Sequence, residues 1–161
     1  MSLEQFKIGL HELYQGEVTG EVVFCRLLER FHSPSQRYKL TSLLQLETEA
    51  KARLRPAVVA CGLDPIELEE SREKGIEFAD SFQGMEWLVA MEHLASVLEP
   101  FVNRYREIAQ LAPSEYKDVA DSMVVHEETA QDFARLEAAG KTRESLDAIV
   151  KQLIYPLPTR A

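Results

Sequence analysis

LEQFKIGLHELYQGEVTGEVVFCRLLERF, residues 3–31, sets apolar side chains at positions 3, 6, 10, 13, 14, 18, 24, 28 and 31. That alternation of three- and four-residue steps is one face of an amphipathic helix. His32-Ser33-Pro34-Ser35 breaks it, because proline disfavours helical geometry in the residue before it and Ser35 offers a hydroxyl to cap a second helix. The stripe of that second helix runs through Tyr38, Leu40, Leu43, Leu44, Leu54, Val58 and Cys61, with a kink expected at Pro56, and stops at Gly62 with Pro65 beyond. A third stretch, from about residue 84 to 109, carries Leu88, Met91, Ala95, Leu98, Val102 and Tyr105. Pro113 and Ser114 open a fourth, which passes Ala120, Met123, Phe133 and Leu136 and ends at Gly140. Residues 142–154 predict a short terminal helix, and 155–158 an extended tail.

Three of the links are short; the fourth, residues 63–83, is polar and acidic with Gly75 inside, and predicts a connection with at most a helical turn or two. Short links make antiparallel neighbours, so the pattern is two helical hairpins joined by a long crossover. A helix of 28 residues is roughly 42 Å long and 20 extended residues reach about 66 Å, enough to run the whole length. The expected fold class is therefore all-α, a four-helix bundle with one long crossover and a short C-terminal helix, as a single domain over residues 1–161.

Composition narrows the function. With 45% hydrophobic and 28% charged residues the chain is of ordinary globular character, and 7 Gly with 7 Pro are too few for the turns of a β-sandwich. A formal net charge of −9 repels phosphate backbones and anionic lipid, so neither nucleic acid nor membrane is an expected partner. No basic, apolar leader opens the sequence and no window is long and apolar enough to span a bilayer, which predicts a cytoplasmic protein. Cys25 and Cys61, too far apart for a CxxC motif, are expected as unbridged thiols. Met85, Trp87 and Met91 predict core or homodimer contacts, and Glu67, Glu69, Glu70 and Glu73 a solvated face.

The informative residues are glutamates that interrupt the apolar stripes: Glu17 and Glu21 on the first helix, Glu47 on the second, Glu92 and Glu99 on the third, Glu127 on the fourth. Counted from a turn near residue 33, Glu47 faces residue 19, between Glu17 and Glu21; counted from a turn near residue 112, Glu127 faces residue 97, between Glu92 and Glu99. Both sets fall near mid-helix, so the carboxylates are expected to meet. An unpaired buried carboxylate costs several kcal/mol, and such a group of them calls for compensation. Pairing with Lys51, Arg53, Arg104 or Arg106 at the stripe edges is the plainer alternative.

GEVTGEVVF (16–24), LETEAKARL (46–54) and HEETAQDFARL (126–136) resemble the ferritin-like superfamily, in particular rubrerythrin-type proteins and aldehyde-deformylating oxygenases, over roughly residues 10–140. The resemblance implies a ferritin-like bundle with two iron or manganese ions. One glutamate would come from each of helices one and three, and a Glu-x-x-His from each of helices two and four. Carried over, the ligands would be Glu17 or Glu21, Glu47, Glu92 or Glu99, and Glu127. Both histidines are missing: Ala50 comes three residues after Glu47, and Ala130 three after Glu127. His126 and His93 adjoin glutamates but a neighbouring residue is turned about 100° around the helix, so His126 is a secondary candidate ligand. These residues leave two functional classes. The first is an incomplete dimetal site in a non-catalytic structural, dimerising or small-ligand-binding module, favoured by the paired alanines. The second is a di-iron or di-manganese oxidoreductase or hydroxylase using the remaining carboxylates.

Overall fold

In a computed structural model that describes residues 3–159, the apolar stripes become helices α1 (Leu3–Leu27), α2 (Pro34–Ala60), α4 (Trp87–Leu111) and α5 (Lys117–Ala138). Two further helices are α3 (Glu69–Asp80) and α6 (Asp147–Gln152), and a 3-10 turn at Ser114–Tyr116 leads into α5. Among the described residues the chain is all-helical, with no strand. Gly62 (φ 73°) and Gly140 (φ 76°) come after α2 and α5 in the left-handed geometry that ends a helix.

Three local expectations are corrected. Ser33, not Ser35, stands at the N-cap of α2, because Pro34 takes the first helical position, where its fixed φ fits and its missing N–H costs nothing. The terminal helix spans only Asp147–Gln152; residues 142–146 form turns before it. The connection 63–83 is not merely a link, since it contains the 12-residue α3. Gly75 weakens a helix in isolation but here lets α3 lie against α1: a Cβ at 75 would come 2.7 Å from Val22 Cβ and 2.8 Å from the Thr19 carbonyl oxygen. Thr19 Oγ1 donates to the Ser71 carbonyl at 2.8 Å. Gln15 Nε2 donates to the Ile66 carbonyl at 2.7 Å, and its Oε1 accepts from Leu68 N–H and Ser71 Oγ.

Contacts fix the directions of the long helices. Glu47 of α2 packs on Gly20 of α1. Lys39 of α2 meets Glu137 of α5 and Arg53 meets Ser122, so α2 and α5 run oppositely. Arg106 of α4 meets Glu128 of α5, and Gln131 donates to the Ala95 carbonyl, again antiparallel. Tyr105 reaches Glu17 while Trp87 packs on Phe31, which makes α4 antiparallel to α1 and therefore parallel to α2.

Two apolar clusters fill the interior. One gathers Phe24, Leu27, Leu43, Met91 and Phe133; the other gathers Phe6, Leu10, Tyr14, Leu54 and Met123. The first is closed by Glu137, fully buried, which accepts from Lys39 Nζ, from Ser145 Oγ and, at 2.7 Å, from Trp87 Nε1. Lys39 also donates to the Thr142 carbonyl at 2.9 Å, so one carboxylate fastens α2, α4, α5 and the turn before α6. Met91 is core; Met85 and Trp87, half-buried, pack against the first cluster. No helix among the described residues is long and apolar enough to cross a membrane.

Candidate metal centre

Where the two apolar clusters meet, the interior turns polar. On α2, Glu47 lies between the buried Leu46 and Ala50; on α5, His126 and Glu127 lie between Met123 and Ala130; on α1, Glu17 comes three residues after Tyr14. Glu17 and His126 are 0% exposed, Glu47 and Glu127 each 5%. His126 Nε2 is 3.0 Å from Glu17 Oε2, 3.3 Å from Glu47 Oε1 and 3.8 Å from Glu127 Oε2. One ligand atom from each of Glu17, Glu47 and His126 lies within 4.8 Å of the others.

These groups approach without completing hydrogen bonds. Neither ring nitrogen of His126 has a hydrogen-bond partner, and neither does Glu17 Oε2. At 3.0 and 3.3 Å the imidazole and the two carboxylates stand within ion-pair range of one another. Buried polar atoms left in this way are rare and costly. The separations have a different meaning around a cation. Two donors each about 2.1 Å from one ion are about 3.0 Å apart at a right angle and about 3.4 Å apart at the tetrahedral angle.

Glu17's other oxygen is satisfied: Tyr105 Oη donates to Glu17 Oε1 at 3.0 Å. Without a cation, burial and then the charge on Glu17 hold the Glu47 carboxyl well above its ordinary range, against the pull of His126. Burial pushes Glu127 up to about 8 although His126 opposes it. For His126 burial favours the neutral ring, but the carboxylates of Glu17 and Glu47 outweigh it and raise its pKa well above the usual imidazole value. Burial, then the three carboxylates, keeps the Tyr105 hydroxyl protonated.

The structure thus brings Glu17, Glu47, Glu127 and His126 together and leaves Glu21, Glu92 and Glu99 out. Glu21 accepts from Thr48 Oγ1 at 2.6 Å and Lys51 Nζ at 2.5 Å, and Lys51 also meets Glu67; this is the plainer alternative, pairing at the stripe edge. Glu67 is consequently half-buried rather than part of a solvated face. Glu92 and Glu99 are exposed, because α4 buries Met91, Leu94, Val102 and Tyr105 and a step of one residue turns a side chain outward; Glu99 lies 4.0 Å from Arg135. His126 faces inward despite adjoining Glu127, since the buried side of α5 is wide enough to take Met123, His126, Glu127 and Ala130. His93 packs edge-on against Phe82 and contacts Ser81 Oγ, away from the cluster. Tyr105 is the member that sequence reasoning missed: it reads as an apolar stripe residue, and only the adjacency of α1 and α4 reveals its hydroxyl partner.

A cavity of about 590 Å³ opens between α1, α3 and α4, and adjoins a narrower one of about 40 Å³ that reaches Glu47 and Glu127. Gly16, Thr19, Phe78, Val97, Phe101 and Tyr105 line both. Thr19, Gln15 and Ser71 spend their polar atoms on one another and on the chain around the start of α3, so the shared inner lining is mostly apolar, while Glu12, Lys74 and Arg104 add charge to the larger cavity. Compared with known proteins, the chain matches no family model, no curated protein and no solved structure.

Proposed function

We propose that the protein is a ferritin-like bundle that has kept one metal position of the family's two and binds a single divalent ion, manganese or iron, beside a cavity for a small apolar ligand. The observation that carries this reading is the convergence of Glu17 Oε2, Glu47 Oε1 and His126 Nε2 at ligand spacing with no hydrogen bonds to explain it. The bundle assignment is supported by the antiparallel pairs α1–α2 and α4–α5 with the long link between them, and by the motifs at residues 16–24, 46–54 and 126–136.

The residues suit one ion. Glu17, Glu47 and His126 would hold it, with Glu127 as a fourth donor, and three carboxylates with one imidazole favour manganese or iron over softer metals. They do not suit two. Ala50 and Ala130, at 0% and 1% exposure, put methyl groups into the core where the family carries imidazoles, and α4 turns both of its candidate glutamates to solvent. A bound ion would supply positive charge to the buried carboxylates and Lewis acidity at the inner end of the cavity.

A second reading is favoured by the closeness of His126 to the same oxygens: an imidazolium could take the cation's place, leaving a structural or small-ligand-binding module with no metal. Metal analysis of protein expressed with added iron and manganese decides. About one ion per chain, lost in Glu47→Ala and His126→Ala, supports the metal reading; none supports the imidazolium; about two overturns the one-ion site and restores a dimetal oxidoreductase.

A further inference from the structure

The Tyr105 hydroxyl occupies a place on α1 that only glycine leaves open. A Cβ built at Gly16 would overlap it, and the next residue, Glu17, accepts its hydrogen bond. One turn along the same face, a Cβ at Gly20 would overlap the Glu47 carboxylate. Two glycines four residues apart thus admit a hydroxyl from α4 and a carboxylate from α2 to one mid-helix layer.

The effect falls on Glu17. A carboxylate can bind a cation through one oxygen or both, and the choice alters the coordination number and the room left for other ligands. Here Oε1 is engaged by Tyr105 at 3.0 Å, while Oε2 has no hydrogen-bond partner and lies 3.0 Å from His126 Nε2. Tyr105 is 3% exposed and also lines both cavities, so its ring is held on one side by packing and its hydroxyl has a single acceptor. We propose that Tyr105 is a positioning residue that makes Glu17 a one-oxygen metal ligand through Oε2, and that Gly16 is required because it lets the hydroxyl reach. This rests on the metal reading proposed for the cluster.

Partners behind metal ligands generally orient the ligand and tune its basicity, and losing one typically costs about 10- to 100-fold in metal affinity. Removing the hydroxyl frees Oε1, so Glu17 can swing or chelate with both oxygens. Both the affinity and the symmetry of the field around the ion then change.

The test uses the full chain freed of metal, titrated with manganese(II) and monitored by electron paramagnetic resonance, which reports free ion and the spectrum of bound ion. Tyr105→Phe keeps the ring and loses only the hydroxyl; it is expected to bind manganese about 10-fold or more weakly with a changed bound spectrum, and to keep the wild-type helix content by circular dichroism. Gly16→Ala keeps the hydroxyl but displaces it, and is expected to weaken binding and alter the spectrum in the same sense. Should Gly16→Ala not fold, Tyr105→Phe alone carries the test. Wild-type protein that binds no manganese overturns the metal reading itself. Wild type that binds, with Tyr105→Phe matching it in affinity and spectrum, overturns the role of Tyr105 and leaves the metal reading standing.

Discussion

Glu127→Gln in the metal-free chain isolates the electrostatic cost of the buried cluster. In the folded protein the Glu127 carboxyl releases its proton at about 8, against 4.5 for an ordinary glutamate, and burial is the leading cause. Between those values the folded chain holds a proton that the unfolded chain has released, so the contribution of Glu127 to stability is greatest below about pH 4.5 and falls as the pH rises. The fall is about 1.4 kcal/mol per pH unit, or about 5 kcal/mol over the window. Glutamine has the same shape and does not titrate. The stability of the mutant relative to wild type should therefore increase by about 4 kcal/mol between about pH 5 and about pH 9. His126 and Glu47 also have raised values, so they add loss with rising pH in both proteins, and each interacts with Glu127. Urea melts of both proteins in chelator at the two pH values measure the quantity directly. A difference that stays within about 1 kcal/mol would refute the reasoning, because it would mean that Glu127 ionises as if hydrated. Saturating manganese should reverse the order at high pH, since an ionised Glu127 then serves the cation and the ligand stabilises only the folded state.

Glu137→Ala removes the acceptor shared by Lys39, Ser145 and Trp87 and strands a buried ammonium; a loss of about 3–5 kcal/mol is expected in chemical denaturation, and a loss under about 1 kcal/mol would contradict the clamp. Gly75→Ala should destabilise by about 1–3 kcal/mol even though alanine is the better helix former, because the added carbon meets Val22 and a backbone oxygen; a mutant as stable as wild type would show that α3 can move away at no cost. Cys25 is exposed and Cys61 buried, both free, so a thiol reagent should modify one cysteine in the native protein and both after unfolding; two fast thiols in the native state would place Cys61 wrongly.

How far the sequence can be read depends on which contacts chain geometry alone fixes. Glu47 can be set opposite residue 19 because a short turn dictates the register of its hairpin, and Glu47 does pack on Gly20. The same counting locates Glu127 at mid-helix but cannot rotate α4. Stripes through 91/92 and 98/99 are equally periodic about either side, and only the neighbouring α5 and α1 decide that Met91 and Tyr105 face inward while Glu92 and Glu99 do not. The 100° offset of His126 from Glu127 argues against its sharing the site only where the buried face is narrow, and on α5 that face is wide. Glu137 and Lys39, 98 residues apart, carry no mark in the sequence of their pairing.

Gln15 bridges the start of α3, giving to the Ile66 carbonyl and taking from Leu68 N–H and Ser71 Oγ, while Leu68 at the N-cap supplies no side-chain bond of its own. A helix whose first turn is completed by a residue of another helix has no private start signal, and its formation becomes contingent in time. As a free peptide, residues 63–83 should be coil, with twelve helical residues too few to persist alone in water. On a chain made from its N-terminus, α1 has left the ribosome well before α3 is complete, so the template precedes what it shapes. The wall of the cavity that α3 provides is then among the later parts of the molecule to form and among the first to be lost on partial unfolding, with the rest of the helices still in place.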